Sequence, residues 1–234
     1  MSELYPHKVL VAGATGGVGK LVVRRLRLLN VPARILTRDR QRAARLGDVD
    51  VVEGDALVRG DCARAVADCD AIVCTLGDRT VPQGRPIVDG DGIVNLIDAA
   101  AAAGSQRFVL VSSLGVGDSW HWLPFFIKWF FRWFKAIPIL NEKARSEEYL
   151  KGSALQWTIL RPGGLFNWRM RAEPLLTVAG RVAGITTRQA TADVAVRSLA
   201  SQNALRTTLT VVNHSVRATL EGTVFQLDVP WQPW

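Results

Sequence analysis

Short apolar runs alternate along the chain with stretches of helical periodicity. The runs "VLVA" (9–12), "ARILT" (33–37), "DVDVVEG" (48–54), "DAIVCTLG" (70–77), "RFVLVSS" (107–113) and "WTILRPG" (157–163) are short and rich in β-branched residues, so each predicts a strand. Between them the apolar positions recur at helical spacing, which predicts helices over about 20–30, 61–68, 90–103 and 141–151. Strands that are apolar at every position, rather than at alternate ones, belong in a parallel sheet covered on both faces. The pattern therefore predicts an α/β fold, a doubly wound parallel sheet of Rossmann type. After Gly164 the alternation weakens, although 191–202 reads as a helix and 207–213 as a late strand. Without a linker before it, this part is expected to extend the same domain, residues 1–234, and to wall the substrate side of a cleft.

Composition changes little in this picture. The 234 residues are 48% hydrophobic and 21% charged, as expected of a packed domain and not of a disordered or fibrous chain. A net charge of +8 suits an anionic partner, but the basic residues are scattered and no basic run or basic helix face fits a nucleic-acid site, so no nucleic-acid partner is expected. Cys62, Cys69 and Cys74 are an odd number without a Cys-x-x-Cys pair, which excludes a disulfide framework and argues against a metal site. The first residues lack the pattern of a signal peptide, and a cytoplasmic location is the expectation.

The first turn carries the chemistry. Gly13, Ala14, Thr15, Gly16, Gly17, Val18 and Gly19 connect the first strand to the first helix, with glycines in Gly-x-x-Gly-x-x-Gly spacing. Glycines allow a tight turn, and the free N–H groups at the helix start then face a pyrophosphate. Strand, turn, helix and next strand fall within about 30 residues, as the dinucleotide fingerprint requires. At the end of the second strand Thr37 stands where NAD sites usually place a ribose-binding acid, and Arg38 follows it. A guanidinium can grip a 2′-phosphate with two parallel hydrogen bonds, so NADP(H) is the expected cofactor.

In order, "GATGGVG", "LTRD", "VVEGD", "VLVSSLGVGD", "EKARSEEYL" and "WTILRPGGL" make the chain resemble the atypical short-chain dehydrogenase/reductases over roughly residues 8–165. It is most similar to the single-domain NAD(P)H-binding group that includes flavin and biliverdin reductases, chloroplast-type relatives and nitrogen-repression regulators. The resemblance implies that residues 13–19 hold the pyrophosphate and Arg38 the adenosine phosphate. It also implies Asp55 and Ala56 beside the adenine, Leu76 and Gly77 over its ribose, and Lys143 on the nicotinamide ribose. Ser112 and Ser113 then face the nicotinamide, which Pro162, Gly163 and Gly164 back. Ser113 and Lys143 are the candidate catalytic residues.

One departure bears on the reaction. Dehydrogenases of this superfamily use Tyr-x-x-x-Lys, in which the tyrosine is the proton donor and the lysine lowers its pKa. Four residues before Lys143 stands Ile139, while Tyr149 lies six residues after it, on a different face of the helix, where packing is the expected role. Simple ketone reduction is therefore disfavoured. A flavin, quinone or tetrapyrrole-like acceptor spreads the incoming charge itself and can take its proton from solvent or a serine. The expected function is an NADPH-dependent reductase of a bulky conjugated or hydrophobic acceptor. Its rival is a catalytically silent NADP(H)-binding protein that docks a partner.

Residues 120–134, "WHWLPFFIKWFFRWF", hold nine of the 18 aromatics in the chain, within an insertion spanning 118–140. The run is too short for a transmembrane helix, which needs about 20 apolar residues. Lys128, Arg132 and Lys135 share one stripe and aromatics fill most of the remaining circumference, wider than the core stripe of an ordinary surface helix. A core helix, a lid over an apolar substrate and a peripheral membrane anchor all remain open, and the last two are compatible with each other.

Overall fold

The computed structural model describes residues 4–133, 135–169, 172–178, 182–218 and 224–234. Its first half is the expected alternation with one short helix, α2, that the sequence pattern does not predict: β1 (Val9–Ala12), α1 (Gly19–Leu28), β2 (Ala33–Thr37), α2 (Arg40–Ala44), β3 (Asp50–Glu53), α3 (Arg59–Val66), β4 (Ala71–Cys74), α4 (Ile93–Ala102) and β5 (Arg107–Val111). Then come α5 (Phe125–Trp133), α6 (Ile137–Lys151), β6 (Gln156–Pro162), β7 (Gly164–Phe166), β8 (Leu175–Val178), β9 (Val182–Thr187), α7 (Arg188–Ala200), β10 (Thr207–Val212), β11 (His214–Ala218) and β12 (Val224–Phe225).

The main sheet runs β12-β8-β10-β6-β5-β4-β1-β2-β3. The strands β1 to β6 follow the spatial order 3-2-1-4-5-6 and pair in parallel, the dinucleotide-binding arrangement whose ligand crevice opens where the order reverses, between β1 and β4. β1, β4 and β5 are buried at every position, as their unbroken apolar runs predict. One core cluster packs Val9, Val11, Val22 and Leu26 against Val194 and Leu209 on one face of the sheet; a second packs Leu10, Ile72, Leu96 and Ile97 against Phe108 and Ile159 on the other.

The sequence pattern misses much of the second half. β7, β9 and β11 form a separate three-stranded sheet, and β8 and β12 add antiparallel strands beyond β10. Of the part expected to wall a cleft, Leu165, Gly184, Ile185 and Arg188 line a cavity beside Ser112 and Ser113, whereas the helix expected over 191–202 is α7, buried from Ala190 to Leu199 and packed against α1 and β5 as a core helix. Its buried surface goes all round, which explains why it lacks an amphipathic stripe. A π-turn over Val88–Gly92 precedes α4, and α6 starts at Ile137, earlier than its periodicity suggests, because Pro138 sits in its first turn where no N–H is needed.

Candidate nucleotide and acceptor site

Gly13 sits at φ +82°, and a Cβ there would come within 2.7 Å of the Thr75 backbone. A Cβ on Gly19 would meet the Gly13 carbonyl oxygen at 2.2 Å. These two close approaches make the turn depend on glycine. Gly16 N–H donates to the Gly13 carbonyl (2.9 Å), and Thr75 ties the turn to β4 by donating its N–H to the Ala12 carbonyl (2.8 Å).

Beside the turn lies a cleft of about 210 Å³ at the carboxyl ends of β1, β2 and β4. Gly13, Thr15, Gly16, Arg38, Asp55, Ala56, Leu76 and Gly77 all line it, so the elements bring these predicted positions to one place. Arg38 is largely exposed, its Nη1 3.6 Å from Asp55 Oδ2. Thr37 is buried and its hydroxyl accepts from the Asp39 N–H (3.1 Å). Asp39 caps α2 by accepting from the Arg42 N–H (3.0 Å) and pairs with the Arg42 guanidinium (3.1 Å). Arg42 also lines the cleft; sequence reasoning missed it because the two-cation rim appears only once α2 turns back toward β2.

On the other side of the cleft, Lys143 of α6 places its Nζ 2.6 Å from Asp89 Oδ1, a carboxylate with no solvent exposure. Asp89 also accepts from the Asp78 N–H (2.7 Å). Asp78 is gripped by the Arg85 guanidinium and accepts the Val88 N–H (2.9 Å); burial alone would raise its pKa, but these partners hold it below the usual carboxylate range. The loop from Gly77 to Asp89 is thus pinned by four ionic side chains, Asp78, Arg85, Asp89 and Lys143, that the sequence does not mark as a unit. Only the "VDGDG" at 88–92, acids interleaved with glycines before a helix, hints at it.

Ser112 and Ser113 follow β5, and the Ser112 N–H joins β6 through the Leu160 carbonyl (2.7 Å). Ser112 Oγ is buried without a hydrogen-bond partner among the described residues, while Ser113 Oγ donates to the Leu114 carbonyl (3.0 Å). Both serines, with Pro162, Gly163 and Gly164, bound a cavity of about 700 Å³ whose opposite wall is Phe126, Ile127 and Phe131 of α5. At the position of the superfamily tyrosine, Ile139 is buried. Tyr149 is 45% exposed, not packed, and donates to Asp98 Oδ1 (2.6 Å). Cys62, Cys69 and Cys74 are buried free thiols, and burial pushes Cys62 and Cys74 up to about 12, far from thiolate reactivity.

The aromatic segment divides between faces. Ile127 and Phe131 pack with Trp120 against Leu114, Leu123 and Ala183. Phe125, Phe126, Trp129 and Trp133 are 82%, 58%, 55% and 68% exposed, and the Trp129 and Trp133 rings stack at 5.1 Å. Lys128 Nζ donates to the His121 carbonyl (3.3 Å) beside the Trp120 ring. Phe134 and the side chain of Phe130 lie outside the described residues. An ion-pair chain holds the segment's entry: Arg161 of β6 binds buried Glu147 of α6 (2.6 Å) and Asp118, whose pKa falls because the Arg161 charge outweighs burial. Among the described residues no helix is long and apolar enough to cross a membrane.

A glycine turn at the switch point of a doubly wound sheet, with a cation at the end of β2, defines a nicotinamide-dinucleotide-binding protein. Residues 13–202 match a family model described as NAD(P)H-binding, and the chain belongs to that family. It is 34% identical over 177 residues, 68% of its length, to an uncharacterized chloroplastic protein of Arabidopsis thaliana, and 33% identical over 180 residues, 67% of its length, to protein TIC 62 of Oryza sativa. The matches cover 60% and 35% of those relatives, so the chain spans less than two thirds of their length. Among solved structures it resembles ChuY, an anaerobilin reductase of Escherichia coli, with TM-score 0.76, 27% identity and coverage of 90% of this chain and 98% of that one. A short-chain dehydrogenase/reductase of Veillonella parvula, solved with NADP, shares the fold at TM-score 0.76 and 19% identity, covering 89% and 95% of the two chains.

Proposed function

We propose that this protein is an NADPH-dependent oxidoreductase that reduces a bulky conjugated or hydrophobic acceptor, such as a flavin, quinone or tetrapyrrole-like molecule. The observation that carries the reading is the 700 Å³ apolar cavity bounded on one side by Ser112, Ser113 and Pro162 and on the other by α5. Its volume suits a multi-ring molecule.

The residues present fit a dinucleotide. The glycine turn leaves backbone N–H groups at the start of α1 for a diphosphate, and Arg38 with Arg42 supplies charge for a 2′-phosphate. Lys143, oriented by Asp89, faces the ribose side, and the unpartnered Ser112 hydroxyl is left for a polar group of cofactor or acceptor. When bound, the cofactor supplies a hydride. With Ile139 in place of a tyrosine, Ser112 and Ser113 are the hydroxyls that line the cavity among the described residues, and they or admitted water would deliver the accompanying proton, which favours acceptors that delocalise charge over simple ketones.

Ile139 also supports the second reading, a silent NADP(H)-binding regulator or scaffold. The exposed rings of α5 with Lys128 and Arg132 support contact with a partner or a membrane surface in either case. Steady-state NADPH oxidation with flavins, quinones and aliphatic ketones tests the proposal. Turnover is expected with the first two classes, and none with any acceptor would transfer the case to the silent binder.

A further inference from the structure

A second cavity, of about 500 Å³, lies on the α6 face of the sheet and shares no lining residue with the dinucleotide cleft or the acceptor cavity. Its walls are Trp157 and Arg161 of β6, Glu148 and Lys151 at the end of α6, Trp122, and the start of β10. The register of β10 against β6 sets Thr208 beside Ile159 and Thr210 beside Arg161, so these two threonines, two positions apart, face the cavity together. Thr210 is only 5% exposed, and neither hydroxyl has a hydrogen-bond partner among the described residues. The Trp157 indole is buried as well, and its Nε1 donates to nothing among the described residues. Most of the charges are engaged: Arg161 binds Glu147 (2.6 Å) and Asp118 (2.5 Å), and Lys151 binds Glu148 through Oε1 (2.7 Å). Arg206, exposed, is the one lining charge without a side-chain partner among the described residues. Its N–H, donated to the Trp157 carbonyl (2.7 Å), fixes it at the entry to β10 with φ +52°.

Buried polar groups without partners call for an explanation, and a ligand that satisfies them is one. The groups left free here are of mixed kind: two hydroxyls that both donate and accept, one oxygen of Glu148, and a guanidinium, with two indole rings in the wall. Hydroxyls and a carboxylate oxygen beside aromatic rings suit a body that carries hydroxyls at its edge and C–H groups on its face. The unpaired guanidinium suits a phosphate, which it can hold by two parallel hydrogen bonds. A flat aromatic anion would leave the threonine hydroxyls unmet, whereas a phosphorylated sugar meets every one of these groups. We propose that the cavity is a second ligand site, for a phosphorylated sugar whose phosphate Arg206 binds and whose hydroxyls Thr208, Thr210 and Glu148 bind. Its volume is within the usual range of small-molecule sites. Asp118 and Trp122 in its wall lead directly into Leu123 and Phe126 of the acceptor cavity, so its occupant touches the segment that closes the other site.

Glucose 6-phosphate, ribose 5-phosphate, glucose and inorganic phosphate are the probes, titrated into protein saturated with NADP+, which keeps phosphate out of the dinucleotide cleft. The indole N–H signals are followed by NMR, with that of Trp157 assigned from Trp157→Phe. At least one of the two esters should shift the Trp157 signal and bind about 10-fold more tightly than either glucose or inorganic phosphate. Arg206→Gln should abolish the advantage of the ester over glucose, and Thr210→Val should weaken the ester about 10-fold, both with NADP+ affinity unchanged. A Trp157 signal that neither ester moves, or an ester affinity that Arg206→Gln leaves intact, would overturn the proposal. So would esters that bind no better than inorganic phosphate, because the site would then be a simple anion contact. Arg206 is exposed and can be changed without disturbing the core, so its arm of the test stands even where Thr210→Val destabilises the sheet. No hydride transfer is involved, and the result is independent of the reductase reading.

Discussion

Lys143 and Asp89 are 54 residues apart in sequence and form an ion pair of 2.6 Å in which the carboxylate is completely buried and the ammonium is 13% exposed. The two partners are unequal. Removing the lysine strands a buried charge, whereas Asp89→Asn leaves an ammonium that can still reach water. Lys143→Met should therefore cost about 3–5 kcal/mol of stability and Asp89→Asn distinctly less, with both weakening NADPH binding. Denaturant unfolding of the two variants decides it; equal losses would mean that Asp89 is held by its backbone partners alone.

Arg38 and Arg42 line the cleft beside Thr37, and no carboxylate stands at the end of β2 itself. Arg38→Ala should lower NADPH affinity by about 1.5–3 kcal/mol while leaving NADH binding nearly unchanged. Arg42, already engaged by Asp39, should matter less. Calorimetry with both cofactors checks this, and equal wild-type affinities would remove the case for NADP(H).

How much of this could be read from the sequence follows from what each feature depends on. β1 and β2 are observed at 9–12 and 33–37 as expected, because a strand buried on both faces writes itself as an unbroken apolar run. The glycine turn is equally local. β7, β9 and β11 left no such mark: each is short, and β7 pairs in parallel with β9 across an intervening segment, 167–181, that shows no helical periodicity. Asp89, Arg42 and Arg188 went unnoticed because their chemistry exists only after folding sets them against Lys143, the β2 end and Gly17. The composition of α5 advertised an unusual helix, but a helix apolar on most sides does not reveal which side packs.

The structure separates those sides, and the separation predicts different behaviour for neighbouring aromatics. Trp129 and Trp133 are more than half exposed, while Phe131 packs on Leu114 and Leu123 in the cavity wall. A Trp129→Ser, Trp133→Ser double variant should keep its melting temperature and its NADPH affinity but lose salt-sensitive association with anionic liposomes. Phe131→Ser should instead cost about 3 kcal/mol by emptying a packed site. Flotation and thermal unfolding of the two variants distinguish the roles, and a wild type that stays off liposomes would leave the exposed rings to a protein partner.

Asp193 gives the fold a pH dependence of unusual sign. It lies buried in α7 between Arg25 (3.3 Å) and Arg197 (3.6 Å), and accepts from Trp234 Nε1 (3.1 Å). Burial raises its pKa to about 6, and the opposing pull of Arg25 and Arg197 does not cancel that rise. A carboxyl whose folded pKa exceeds its unfolded value favours the protonated native state, so its contribution is full at low pH and is lost as pH rises through about 6. Most partnered acids, Asp118 among them, work in the opposite direction. The contribution must therefore be read against Asp193→Asn, which keeps the shape and the acceptor for Trp234 but cannot titrate. Passing from pH of about 7.5 to about 5, wild type should gain on the order of 1 kcal/mol relative to the variant. For a domain of this size that is a differential rise of about 2–4 °C in melting temperature. Parallel melting curves of the two proteins across this range measure it, and a difference that shrinks as pH falls would show that the arginines, not burial, govern Asp193.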